Sequence, residues 1–553
     1  MQSRYTVYII PAEWRWVIFV ASGLVLVAFL PFLWVALSNT AQSNWQFMGM
    51  IGVNYRDGAT YLAKMLQGME GSWLIRFLHT PEPHNPFFLV PIYPLLGQAS
   101  RFTGLPPIVM YHIARVIASL FMYLAIYQLG ATIWTRVRTR RIFFVISAVG
   151  AGFGWLLLLV TQDTNAFIPD IAIPEAFPLF GTYVNVHFPL TMACLALLGS
   201  IFINAFRPGM DENPSLTNGG LLAVVVTMIL GVLYPQTLAP LGGALVLLTA
   251  IRSIREKRIN RHIFYWSLVI ILPAVPFALY YIAVTQSNPV VAEWNRQNVT
   301  LSPNPFVLVV GLGLPLILAL PGIYRALRRF EADGDQFMLL WLVMVITAVY
   351  FPSSIQRRFM AGIMLLIAYF ATRALEDFWF NYVSRRWRKQ LFVLFVPIIA
   401  FSQIFILIVP VLPILAGNFQ AVAGMMLERD YRPTFDWLRE NANTGDVILA
   451  SPNVSLWVPA WTGLQVVYGH PFETLQAEEK RQAIEAWFTT SSIEDCQRVL
   501  DGAQAMMGTY RVRYVLVGPE ERLMGSDPTT VESECLNSLQ VVGQIGDVTI
   551  YAP

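Results

Sequence analysis

Arg385-Arg386-Trp387-Arg388-Lys389-Gln390 runs directly into LFVLFVPIIAFSQIFILIVPVLPILA, residues 391–416, a stretch without one charged side chain. As a helix, a run of that length crosses a hydrocarbon core of about 30 Å. The basic cluster before it marks the end that stays in the cytoplasm. Ordinary soluble patterning begins near Leu427-Glu428-Arg429-Asp430. The chain therefore passes out of the membrane here and continues as a water-soluble tail on the other side.

Working outward, further apolar runs lie near 15–37, 106–134, 142–161, 186–206, 219–234, 238–251, 263–285, 304–324, 336–352 and 358–376, which makes about eleven spans with 391–416. The two short ones, 219–234 and 238–251, meet at Tyr234-Pro235-Gln236, where proline ends a helix and a tight hairpin follows. The first run lacks a small-residue cleavage site and reads as a retained anchor. Composition agrees, since 56% of the 553 residues are hydrophobic and only 13% are charged.

Basic residues give the orientation. Arg136, Arg138, Arg140 and Arg141 follow the second span, Arg252, Arg255, Lys257, Arg258 and Arg261 the sixth, and Arg325, Arg328 and Arg329 the eighth. If the spans alternate, these connections share the side of Arg385–Lys389, which is cytoplasmic together with the N-terminus. Facing the other way are outer loops 38–105 and 162–185, the turn at Pro235, residues 286–303, the short Phe351–Arg357 link and everything after about 417. The expected fold is a polytopic α-helical membrane domain, residues 1–426, in the plasma (inner) membrane, plus a C-terminal extracytoplasmic α/β domain, residues 427–553.

In the tail, Pro433–Asn441 and Leu475–Phe488 read as helices, Asp446–Ala450 and Arg513–Gly518 as buried strands, and Leu539–Tyr551 as a hairpin. Cys194 falls in an apolar run, so Cys496 and Cys535 are left as the pair an oxidising compartment would join. The net charge of +3, spread in short clusters, points away from a nucleic-acid partner.

The richest outer stretch is Asn54-Tyr55-Arg56-Asp57-Gly58-Ala59-Thr60-Tyr61-Leu62-Ala63-Lys64, followed by His79-Thr80-Pro81-Glu82-Pro83-His84-Asn85-Pro86. Asp57 suits an N-cap for a helix over Gly58–Gln67. A carboxylate held there is also well placed to take a proton from an incoming hydroxyl or amine.

These features resemble the GT-C superfamily of membrane glycosyltransferases, whose members include protein O-mannosyltransferases and the lipid A aminoarabinose transferase. The resemblance lies in an Asp soon after the first span, a long first outer loop with a Tyr-rich helix, about eleven spans, an acid-bearing second outer loop and an outer C-terminal domain. It covers the whole chain in architecture. Relatives often carry two adjacent acids in the first loop, whereas this chain has Arg56-Asp57-Gly58, so a catalytic role rests on Asp57 alone. The resemblance implies transfer of a sugar from a polyprenyl-phosphate-linked donor to a protein, lipid or glycan acceptor on the extracytoplasmic face.

Two more groups fit such chemistry. In 162–185 and just beyond, Asp163, Asp170 and Glu175 precede Gly181-Thr182-Tyr183-Val184-Asn185-Val186-His187, with no Lys or Arg among them. Asp163 and Asp170 read as solvated loop residues. Glu175, Asn185 and His187, with Tyr234, Glu82 and His84, are candidates for binding a substrate by hydrogen bonds and ring faces. Pro352-Ser353-Ser354-Ile355-Gln356-Arg357-Arg358 places two Arg on the outer side, against the general charge bias. Outer Arg residues snorkel to headgroups, yet Arg357 and Arg358 also have the donors to neutralise a departing lipid phosphate. Asp57, Glu82, His84, Glu175 and His187 would together suit a hard divalent cation, although no ligand spacing marks one. His112 and Arg115 share a face of the second span, and an intramembrane charge there must point into the bundle or a wet cavity.

The aromatic and polar loops Trp457–Gly463 and Tyr468-Gly469-His470-Pro471-Phe472-Glu473-Thr474 suit either packing or acceptor contact. Two other classes stay open. A non-catalytic subunit of a membrane assembly would share this scaffold. A transporter fits less well, because the acids lie in outer loops and no related halves align.

Overall fold

The computed structural model describes residues 9–39, 43–52, 55–162, 167–207, 219–332, 334–489, 493–502, 510–524 and 534–553. Asn54 and Asp163 lie outside them. Among the described residues, nine helices are long and apolar enough to cross a membrane: Pro11–Ser38, Pro107–Ile133, Val137–Thr161, His187–Phe206, Pro235–Glu256, Arg261–Ser287, Pro305–Arg329, Gln356–Asn381 and Arg388–Leu415. Two shorter apolar helices, Leu221–Leu233 and Asp335–Val349, cover the remaining two apolar runs. The chain is an integral membrane protein.

The contacts divide the chain into two compact units. The first comprises Met1–Leu30, Ile113–Tyr281 and Val299–Val409. Its span Val137–Thr161 is a broken one, made of two helical pieces: Val137–Val149 ends at Gly150, and Gly154–Thr161 follows. Asp170 sits at that break, where its Oδ2 accepts the backbone N–H groups of Gly152 at 3.1 Å and Gly154 at 3.0 Å. The expectation of a solvated Asp170 is therefore corrected. The side chain is wholly buried because it satisfies donors that the interrupted helix leaves open, and burial pushes its carboxyl up to about 6.

The loop expected over 162–185 is largely a set of short helical turns. Pro169–Ala172, Pro174–Ala176 and Pro178–Val184 each open on a proline, whose fixed φ suits a first helical position. The same unit ties its basic residues to acids. Arg140 Nη1 donates to Glu13 at 3.2 and 2.9 Å, and Tyr127 Oη donates to the same carboxylate at 2.6 Å. Arg115 is buried, donates to the carbonyl of Tyr183 at 2.6 Å and stacks over Phe29 at 4.5 Å, so helix packing accounts for it.

The second unit comprises Pro31–His112, Ile282–Asn298 and Pro410–Pro553. Strand β1 (Trp45–Phe47) pairs antiparallel with β2 (Met426–Glu428). Strands β3 (Val447–Leu449), β4 (Gln465–Val466), β5 (Val512–Val517), β6 (Gln540–Ile545) and β7 (Val548–Ala552) form a sheet in the order β4-β3-β5-β7-β6. β3 runs parallel to β4 and β5, while β7 runs antiparallel to β5 and β6. Helices Tyr431–Asn441, Ala477–Thr489 and Ile493–Leu500 accompany it. A core of Leu449, Ile484, Trp487, Phe488 and Val515 is closed by a disulfide between Cys496 and Cys535.

The connection 38–105 is built into this unit. Val466 donates to the carbonyl of Leu78 at 3.1 Å, Gln465 to that of Thr80 at 2.9 Å, and Thr474 Oγ1 to that of His79 at 2.6 Å. Helix Tyr55–Met69 crosses Ile92–Thr103 where both carry glycine. A Cβ on Gly97 would lie 2.0 Å from the carbonyl oxygen of Met65, so only glycine lets the backbones approach this closely.

Candidate functional site

Asp57 lies in the first turn of helix Tyr55–Met69. It is inside the helix and does not cap a start at Gly58, but its carboxylate still lies at the positive end of the helix dipole. The side chain is partly open, 38% exposed, and His470 Nε2 lies 3.2 Å from its Oδ1. Behind His470 stands a buried polar row. The rings of His470 and His79 are 6.2 Å apart, and His79 Nδ1 is 3.6 Å from Glu473. Glu473 is ion-paired with Lys64, about two turns along the helix from Asp57. Burial opposes ionisation of Glu473, but Lys64 beside it, helped by His79, holds its carboxyl well below the usual carboxylate range. Burial depresses His79 despite the same acid. Loop 468–474 stands out in the sequence for its aromatics and polar groups, yet nothing in the order of residues links His470 to Asp57.

Glu82 and His84 are both held by hydrogen bonds within the second unit. Glu82 is fully buried, with its oxygens taken by Lys480 and the Thr80 hydroxyl. His84 accepts the Phe77 N–H at Nε2, 3.0 Å, and its Nδ1 meets the Glu82 carbonyl at 2.8 Å. Both side chains are engaged for the same reason. The proline-rich segment His79–Pro86 cannot close a regular ladder, so side chains take up its polar groups.

The first unit carries a separate cluster. Arg357 and Arg358 lie half-buried in the 3₁₀ turn Gln356–Met360. Arg357 is anchored by its N–H to the Thr300 carbonyl at 3.0 Å, and its guanidinium covers the Phe167 ring at 4.4 Å. Glu175 is buried and accepts from Tyr234 Oη at 3.2 Å. Its carbonyl accepts the N–H of Gly362, just past the arginine turn, at 2.9 Å. Burial raises the Glu175 carboxyl while Arg357, and less strongly Arg358, pull it down. His187 opens helix His187–Phe206 with its ring 6.2 Å from that of Tyr234, and Phe188 meets the same Tyr234 ring edge-on at 6.0 Å. Asn185 is buried at the end of Pro178–Val184. Glu175, His187, Tyr234, Arg357 and Arg358, scattered in sequence, are thus neighbours. The cluster offers two guanidinium groups, a buried acid and a phenol, a set suited to an anionic oxygen-rich ligand. Among the described residues, no group of three or more His, Cys, Asp or Glu is arranged to hold a metal ion.

No family model matches the sequence, and no curated protein sequence does. Solved structures do. ArnT from Cupriavidus metallidurans superposes with a TM-score of 0.55 at 12% identity over 98% of each chain in its apo state. Its complex with undecaprenyl phosphate gives 0.54 at 12% identity, over 97% of this chain and 98% of ArnT. This chain has the GT-C fold. The Archaeoglobus fulgidus oligosaccharyltransferase, tethered to an acceptor peptide, shares the fold at a TM-score of 0.52 and 13% identity, covering 92% of this chain and 69% of that one. The mycobacterial arabinofuranosyltransferase AftD does so at 0.51 and 13% identity, and this chain spans 40% of its length.

Proposed function

We propose that the protein is a GT-C glycosyltransferase that moves a sugar from a polyprenyl-phosphate-linked donor to a hydroxyl or amine of a protein, lipid or glycan acceptor on the extracytoplasmic face. All eleven apolar helices, including Leu221–Leu233 and Asp335–Val349, then cross the plasma (inner) membrane. The N-terminus and the arginine-rich connections are cytoplasmic, and residues 427–553 form an outer α/β domain.

In this reading the acceptor oxygen or nitrogen attacks the anomeric carbon as its proton passes to Asp57. The bond from that carbon to the phosphate oxygen breaks, and its electron pair leaves with the polyprenyl phosphate. Arg357 and Arg358 neutralise the charge that gathers there, because guanidinium donors match phosphate oxygens in pairs. Direct displacement inverts the anomeric centre. Glu175, Asn185, His187 and Tyr234 bind donor or sugar groups beside the two arginines.

The observation that carries this reading is the partly open carboxylate of Asp57, held in the first turn of a helix in a chain with the GT-C fold. The undecaprenyl phosphate bound to ArnT and the acceptor peptide on the oligosaccharyltransferase support the two substrate classes. The test is transfer by the purified protein in vesicles, with a panel of undecaprenyl-phosphate-linked sugars as donors. General-base help is worth about 10²–10⁴ in rate, so Asp57→Asn is expected to lose at least about a hundredfold while keeping its thermal unfolding profile. A folded Asp57→Asn protein with the original rate overturns the assignment.

A further inference from the structure

The two ring nitrogens of His470 are used in opposite senses. Nδ1 accepts the backbone N–H groups of Phe472 and Glu473, both at 3.2 Å. A nitrogen that accepts N–H bonds carries no proton of its own, so the ring is neutral and its proton is on Nε2. Nε2 is the atom 3.2 Å from Asp57 Oδ1. The direction of that hydrogen bond follows: imidazole donates and carboxylate accepts. His470 is also fixed, with its side chain 4% exposed. Its own N–H and that of Gly469 both donate to Thr474 Oγ1 at 3.1 Å.

We propose that His470 is a positioning residue for Asp57, a neutral imidazole locked by the main chain of loop 468–474 so that its Nε2–H aims the carboxylate and favours its ionised form. The inference rests on the reading of Asp57 as the general base. A base must present one oxygen in one direction and be ionised before the proton arrives. His470 serves both needs. Its free lone pair is already committed to the backbone, so it does not compete for the acceptor's proton. The soluble tail thereby completes a group that the first outer connection supplies.

Other charges face the pair. Arg56, on the helix of Asp57, interacts electrostatically with Asp57 and with Tyr468. His79, Glu473 and Lys64 stand on the far side of the His470 ring. His79 and Glu473 also feel the His470 ring itself, so the leucine and glutamine variants, which both lack the imidazole, are compared with each other as well as with the parent protein.

The experiment measures coupling of glycine ethyl ester to Asp57 by a water-soluble carbodiimide, on the full-length protein in detergent, by peptide mass spectrometry across pH. Only the protonated carboxyl couples readily, so the pH of half-maximal coupling reports how strongly the ionised form is favoured. A donor to the ionised form lowers that pH, so His470→Leu is expected to raise it by about one unit. His470→Gln, whose amide can donate from a similar position, is expected to return it to within a few tenths. Where the leucine variant fails to fold, His470→Asn takes its place, because its shorter amide does not reach Oδ1. Equal midpoints in all variants overturn the proposal, and so does a glutamine variant that behaves like leucine. The readout needs no turnover. A fully active Asp57→Asn protein removes the general base and leaves the hydrogen bond standing, whereas equal midpoints remove His470 and leave the base.

Discussion

Lys480 of the tail is ion-paired with Glu82 of the connection 38–105, and the two side chains are 1% and 0% exposed. Their Cα atoms are far apart in sequence, yet the pair lies between helix Ala477–Thr489 and the His79–Pro86 segment. Removing one partner of such a pair leaves a buried charge uncompensated. Glu82→Gln is therefore expected to destabilise the second unit by about 3–5 kcal/mol, while the double change Glu82→Leu with Lys480→Met costs much less. Chemical unfolding in detergent checks both, and equal losses in the single and double variants would contradict the account.

Arg357→Ala and Arg358→Ala are each expected to lower transfer from an undecaprenyl-phosphate-linked sugar by about 10²-fold, the usual scale for losing one electrostatic contact to a developing charge. Lysine at either position should recover only part of the rate, because an ammonium lacks the planar fork of paired donors. Steady-state kinetics with the thermal unfolding profile as a control decides the matter. Full recovery by lysine would mean that charge alone is required.

Reduction of the Cys496–Cys535 disulfide opens a link across 39 positions of sequence. The chain-entropy relation gives about 4 kcal/mol for a loop of that size. The Cys496→Ala, Cys535→Ala double variant should lose stability in the second unit, with hydrogen exchange rising first in β3 and β5. An unchanged exchange pattern would show that the core around Trp487 and Phe488 holds without the link.

Glu520 gives a pH dependence. Burial pushes its carboxyl up to about 7 against the Asn453 hydrogen bond, and Glu428, half-buried and beside the Glu520 charge, also rises to about 7. Unfolded, each releases its proton near 4.5. Between these values the folded state binds more protons at these two groups than the unfolded state, so their contribution to stability is full below about 4.5 and is lost as pH rises towards 7. Thermal unfolding across that window should show the decline, and Glu520→Gln should flatten it. A steeper decline in the glutamine variant would reverse the assignment.

The sequence alone determined the membrane helices, because a long uncharged apolar run such as 391–416 has no other stable place for its backbone than a helix in lipid. Hydrophobic patterning likewise marked Pro433–Asn441 within the helix Tyr431–Asn441, and the segments that form β3, β5 and the β6–β7 hairpin, because such patterning is a local property. What tertiary structure decided is which distant polar groups meet. His470 and Asp57, Lys480 and Glu82, and Glu175 with Arg357 are each joined by long-range packing, and no periodicity encodes a partner hundreds of residues away. Nor does sequence tell a solvated acid from one like Asp170, which is buried because a break in a neighbouring helix offers two unpaired N–H groups. The boundary expected at 426/427 rests on hydropathy, which reports each segment's solvent. That residues Pro31–His112 form one compact unit with the tail follows from shape and hydrogen bonding, which exist only once the chain has folded.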